Sequence, residues 1–90
     1  MLDFRWNSWN VQHIAEHGIL VSEAEYVADR AGRSYPKKIG KGKWLVIGQT
    51  AVGRYLQVIY VDDPKADIVY VIHARELTDG EKRRYRRRKK

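Results

Sequence analysis

Residues 43–75 read KWLVIGQTAVGRYLQVIYVDDPKADIVYVIHAR, and their order decides the fold. Three runs rich in Val, Ile, Tyr and Trp (residues 43–50, 54–61 and 68–75) have strand composition and strand length. Ala51-Val52-Gly53 makes a three-residue hairpin connection, with Gly53 where left-handed backbone is needed. Residues 62–67, which contain Pro64, form a second polar turn. Neither connection is long enough for a crossover helix, so the three strands form an antiparallel meander.

Upstream, Leu2 to Trp6 alternates apolar and polar residues and is a candidate edge strand. Asn7 is placed to cap a helix that runs to His17 and stops at Gly18. Ser22 and Glu25 have capping-box spacing, and Val21 with Tyr26 has the spacing of a hydrophobic staple, so a second helix is expected to about Arg30. Residues 33–42 hold Pro36, two glycines and four bases, and read as an exposed basic loop. Downstream, Thr78 and Glu81 repeat the capping-box spacing and open a final helix anchored by Leu77 and Tyr85. The expected fold is α+β, with two N-terminal helices and one C-terminal helix packed on an antiparallel sheet.

Ninety residues fit a single domain, 1–90, and exclude a two-domain enzyme. A hydrophobic content of 43% with 11% aromatics can build a core, which excludes global disorder. Phe4, Trp6 and Trp9 are expected to fill it, with Tyr26, Tyr60 and Tyr70. The chain has no cysteine, which removes disulfides and thiolate metal sites. The start, MLDFRWNSWN, lacks the pattern of a signal peptide, and no stretch is apolar enough to span a bilayer. A cytoplasmic protein without membrane contact is expected.

Charge is distributed in blocks beneath a net value of +7. Residues 30–61 contain seven bases and no acid, and the tail at 82–90, KRRYRRRKK, has eight bases in nine residues. Such blocks attract phosphate polymers, because Arg matches phosphate oxygens bidentately and counterions are released on binding. Lys37, Lys38, Lys41 and Lys43, with Arg83 and Arg84, are candidate phosphate contacts. Tyr35, Tyr55 and Tyr85 are the accompanying candidates for base stacking. A solvated basic surface without a ligand is the competing reading.

Two patterns bear on chemistry. Symmetric closure of the 62–67 turn would pair Leu56 with His73 and Arg54 with Arg75, so Arg54, His73 and Arg75 would share one face as solvent-facing strand-end groups. A register slip of one residue would undo that grouping. Such a trio suits RNA cleavage without a metal or other cofactor: the 2'-hydroxyl attacks phosphorus, guanidinium groups stabilise the developing charge, and an imidazole moves a proton. Separately, His13-Ile14-Ala15-Glu16-His17 matches H-x-x-E-H, whose i and i+4 histidines can share zinc. A third ligand is missing from the local sequence, so no metal is expected, and a helix-terminal histidine is the simpler reading.

Phe4-Arg-Trp6-Asn, His17-Gly18-Ile, Ser22-Glu-Ala-Glu25, Ile47-Gly48-Gln-Thr50, Gly53-Arg54, Ile72-His-Ala74-Arg75 and Glu81-Lys-Arg-Arg-Tyr85 stand in order along the chain. This set resembles the BrnT family of toxins, small ribonucleases of type II toxin-antitoxin systems with a RelE-like fold. The resemblance implies translation inhibition by RNA cleavage. It also implies neutralisation by a cognate antitoxin, a small ribbon-helix-helix protein that binds DNA. Motif by motif, it places functional arginines at Arg54 and Arg75 and the C-terminal helix motif at Glu81 to Tyr85. The chain departs from the family in having Trp6-Asn7 where Trp-Asp is common, no Lys before Lys37, and His73 where Ser or Thr is usual. A non-catalytic RNA-binding or ribosome-associated module, and a basic protein that grips an acidic partner, are the alternatives.

Overall fold

Alternation of buried and half-buried residues over Leu56, Gln57, Val58, Ile59 and Tyr60 builds the central strand, with Leu56 and Val58 wholly buried. The computed structural model describes residues 2–89. In chain order it contains β1 (Phe4–Arg5), α1 (Ser8–Ala15), α2 (Val21–Asp29), β2 (Lys37–Gly40), β3 (Lys43–Gln49), β4 (Tyr55–Asp63), β5 (Ile68–Glu76) and α3 (Asp79–Lys89). Of the basic tail at 82–90, Lys90 lies outside the described residues. The fold is α+β, with one five-stranded sheet in the order β1-β5-β4-β3-β2. β1 runs parallel to β5, and the other neighbours are antiparallel. No helix among the described residues is long and apolar enough to cross a membrane.

The meander forms where its sequence requires. Thr50 and Arg54 close the first hairpin, with Thr50 N donating to Arg54 O at 2.9 Å and Arg54 N donating to Thr50 Oγ1 at 3.0 Å. Gly53 sits at φ +92°, a backbone region that costs a side-chain-bearing residue energy. The segment expected as a basic loop is in part a strand: β2 adds an antiparallel edge to β3, with Lys37 opposite Leu45 and Lys38 opposite Trp44. All four β2 residues are exposed, so no alternation of hydrophobicity marks the strand in the sequence.

The β4–β5 register differs from symmetric closure of residues 62–67. Asp63 pairs with Ile68, and a bulge between the Ile59–His73 and Tyr60–Val71 pairs adds one residue to β5. Beyond it, Gln57 lies opposite Arg75 and Leu56 opposite Glu76. The displacement from the expected register is odd past the bulge, so Arg54 and Arg75 occupy opposite faces. Arg54 shares a face with buried Leu56 and Val58, and Arg75 shares the other with Gln57.

Ile14, Ile19, Ala24, Val27 and Ala28 from the α1–α2 region pack on Val46, Leu56, Val58, Tyr60, Val69, Val71 and Ala74 of the sheet. Val27 packs closely over Gly48, where a Cβ would lie 3.4 Å from Val27 Cγ1, the near limit of ordinary contact. The α1 N-terminus is capped reciprocally, with Asn10 N donating to Asn7 Oδ1 and Asn7 N to Asn10 Oδ1. The box expected from Ser22 and Glu25 is absent. Instead the N-cap of α2 lies two residues earlier, at Leu20, whose N donates to Glu23 Oε1 at 3.0 Å, and Glu25 accepts from Trp6 Nε1 at 2.7 Å. The box at α3 is present: Thr78 N donates to Glu81 Oε1 at 2.8 Å, and Glu81 N to Thr78 Oγ1 at 3.2 Å. Trp9 departs from its expected place in the core, being 56% exposed.

Asn10 joins α1 to the sheet where β1 ends. Fully buried, its Nδ2 donates to Arg5 O and to Val71 O, both at 3.1 Å. The bond to Val71 O is buried and that to Arg5 O partly so, which makes the loss of the donor costly. Asn10→Ala is expected to destabilise the protein by about 2–4 kcal/mol in urea unfolding, since it strands two acceptors and deletes half a cap.

Candidate functional site

Arg54 is held between the helical layer and the end of β5. Its guanidinium donates to Glu23 Oε2 at 2.6 Å and to Glu76 Oε1 at 3.0 Å, and both terminal nitrogens reach Gly18 O at 3.4 Å. Glu23 lies below the usual carboxylate range, chiefly because it accepts from the Leu20 backbone and then from Arg54. Arg54 is raised by its bonds to Glu23 and Glu76. This correction to a solvent-facing Arg54 follows from the register: the core-bearing face turns its side chain towards α2. Arg54 is therefore a tie between α2, the α1–α2 turn and β5.

Arg75 sits on the opposite face and receives α3. It forms a two-pronged pair with Glu81, both prongs at 2.8 Å, and contacts Gln57 Oε1 at 3.3 Å. The Arg75 guanidinium, followed by the Thr78 backbone N–H, holds the Glu81 carboxyl at about 2. Glu81 is thus an anion at any physiological pH, and Arg75 is oriented by it at the foot of α3.

Beside Glu81 lies a cleft of about 120 Å³ lined by Tyr35, Ile47, Glu81, Arg84 and Tyr85. Tyr85 meets Tyr55 edge to face with ring centres 5.9 Å apart, and Arg86 lies over the Tyr55 ring at 5.1 Å. Arg86 Nε also donates to the Tyr55 hydroxyl at 3.2 Å. Burial, with Tyr55 beside it, pushes the Tyr85 phenol up. Cross-strand partners share a face, so Lys37, opposite Leu45, falls on the same side as Lys43 and Ile47. Lys38, opposite Trp44, falls on the other side. Lys41 is exposed in the β2–β3 turn, and Arg83 and Arg84 are exposed on α3.

His73 keeps the face it was expected to share with Arg75, since their β4 partners Ile59 and Gln57 are two residues apart, but it is parted from Arg54. It meets two histidines of the α1 region, with ring centres 5.2 Å from His17 and 6.1 Å from His13. Burial, followed by the electrostatic influence of His17, Arg75 and His13, lowers its pKa and favours the neutral ring. Trp9 stacks on His13 at 5.0 Å and 8° and also faces Tyr70 at 6.4 Å. A ligand nitrogen from each of the three histidines lies within 4.8 Å of the others. Sequence reading missed this grouping because it assumed regular alternation in β5. The signal was nonetheless there, since alternation from Val69 and Val71 would put His73 and Arg75 in the core.

Compared with known proteins, the chain matches no family model, no curated protein and no solved structure.

Two outcomes test the ion pairs. Arg54→Ala should lower unfolding free energy by about 1–2 kcal/mol, allowing for solvent screening of partly exposed partners. For Glu81 the folded pKa, about 2, lies below the reference 4.5, so its contribution is full above 4.5 and disappears as pH falls towards 2. Urea midpoints should therefore fall more steeply between those limits for the wild type than for Glu81→Gln.

Proposed function

We propose that this protein is the ribonuclease toxin of a type II toxin-antitoxin pair, with a RelE-like architecture and a cytoplasmic site of action. RNA enters the cleft between α3 and the outer sheet face. The observation that supports RNA engagement is the cleft itself: Tyr35 and Tyr85 offer aromatic surfaces, while Arg84 lines it and Lys37 and Lys43 share its face. That combination suits single-stranded RNA, whose unstacked bases lie on aromatic rings while basic side chains meet phosphates. The ordered sequence motifs support the toxin role and the cleavage step.

In this reading, Arg75 meets the scissile phosphate. Attack by the 2'-hydroxyl, which gives its proton to water, forms the new P–O bond, the P–O5' bond breaks with the 5'-oxygen taking a proton from water, and a 2',3'-cyclic phosphate remains on the upstream product. Arg75, oriented by Glu81, faces the charge that grows on the nonbridging oxygens. Arg54 acts at a distance by fastening α2 to the strand ends. The antitoxin is a partner that covers the basic cleft and excludes RNA from it.

A second reading, RNA binding without cleavage, is favoured by one observation: Arg54 and Arg75 lie on opposite faces and each is already engaged by carboxylates. The two readings separate in one experiment with purified protein and single-stranded RNA. Affinity should fall with salt at a log-log slope of about −3.5 for roughly five phosphates, and combined Lys37, Lys43 and Arg84→Ala should flatten it by about 2. Cleavage should leave 2',3'-cyclic ends, stop when deoxyribose replaces the scissile ribose, and be lost in Arg75→Ala with binding retained. Binding without any cleavage would establish the second reading, and salt-independent affinity would remove both.

A further inference from the structure

We propose that His13, His17 and His73 form a binding site for a divalent transition-metal ion, with Zn²⁺ the natural occupant. His13 lies in the last turn of α1 and His17 in the turn that follows it, and the β5 bulge supplies the third imidazole that the H-x-x-E-H pattern lacks locally. Their ligand nitrogens all lie within 4.8 Å of one another. Tetrahedral coordination at about 2.0–2.1 Å needs nitrogens roughly 3.3 Å apart, so closure by about 1.5 Å of side-chain rotation completes the set.

The surroundings suit such a site. Among the described residues, no hydrogen bond engages any of the three imidazoles, which leaves their lone pairs available for a metal. Trp9, parallel to His13, fixes the plane of one ligand. Glu16 Oε1, 4.0 Å from His13 Nδ1, can take the proton-bearing nitrogen of a metal-bound ring and hold its orientation. An all-nitrogen donor set favours Zn²⁺, Co²⁺, Ni²⁺ or Cu²⁺ over Mg²⁺ and Ca²⁺, which prefer oxygen. Three protein ligands leave a fourth position for water, on the side where His17 is exposed. A bound ion would clasp the end of α1 to β5, a second tie beside that of Asn10. The inference stands independently of the RNA reading, because it needs neither the cleft nor Arg75.

The test uses the full chain without an affinity tag, freed of metal by chelation and dialysed against Zn²⁺ in the low-micromolar range. One Zn²⁺ per chain should be retained, and the melting temperature should rise with free Zn²⁺ concentration. Co²⁺ should develop the visible absorption of tetrahedral nitrogen ligation, and Mg²⁺ should do nothing. Loss of an outer-shell partner typically weakens a site 10–100-fold, so His17→Ala and His73→Ser should each weaken Zn²⁺ binding by more than about 100-fold. His17 is exposed, so His17→Ala should keep the wild-type circular dichroism and metal-free melting temperature. Wild-type protein that retains no zinc, or a folded His17→Ala variant that binds it as tightly as wild type, would overturn the site.

Discussion

One extra residue in β5 determines what each face of this sheet carries. Val69 and Val71 are buried, and the next buried position is Ala74, three residues on. Without the bulge, strict alternation would carry His73 and Arg75 into the core beneath the helices, where an unpaired guanidinium costs several kcal/mol. With it, Ala74 fills the inward position and the two polar residues turn outward. The bulge also ends the ordinary edge of β5: β1 pairs only with Val69 and Tyr70, and Asn10 takes the following Val71 carbonyl.

Two arginines of similar sequence context consequently do different work. Arg54 faces the helical layer and joins elements that share no long stretch of packing, through Glu23 and Glu76. Arg75 faces outward and forms a two-pronged pair with a carboxylate that is itself fixed by the α3 cap. Glu81 therefore serves both helix initiation and helix docking, which explains how α3, with little apolar surface beyond Tyr85, is held against the strands. The same arrangement sets the cleft wall, since Glu81, Arg84 and Tyr85 are successive members of one helical face.

Most of the architecture was legible in the residues. β3, β4 and β5 stand within two residues of the limits their composition implied, because β-branched and aromatic runs bounded by Gly53 and Pro64 leave few alternatives. The α1 and α3 starts were legible from Asn7 and from Thr78 with Glu81. β2 was not, because a strand with four exposed residues carries no periodicity. The site was less legible than the fold. Regular pairing put Arg54 opposite Arg75, and the one-residue insertion that separates them and sends His73 to α1 was signalled only by the polar residues that strict alternation from Val69 and Val71 would bury. Trp9 was misplaced for a related reason: a large aromatic was assigned to the core, whereas it lies over His13 and Tyr70 on the outside.

β2 leaves one side of the sheet without a partner strand, and open edges of this kind can recruit strands from other copies. The opposite margin is short at β1 and closed by Asn10. At β2 the protection is electrostatic and geometric: Lys37, Lys38 and Lys41 crowd the margin, and a register irregularity between Lys38 and Gly40 spoils its flatness. Two copies brought edge to edge would oppose these charges before any ladder could form. Those lysines therefore guard against self-assembly into extended sheets, and a polyanion that neutralised them would weaken that guard unless it also covered the strand.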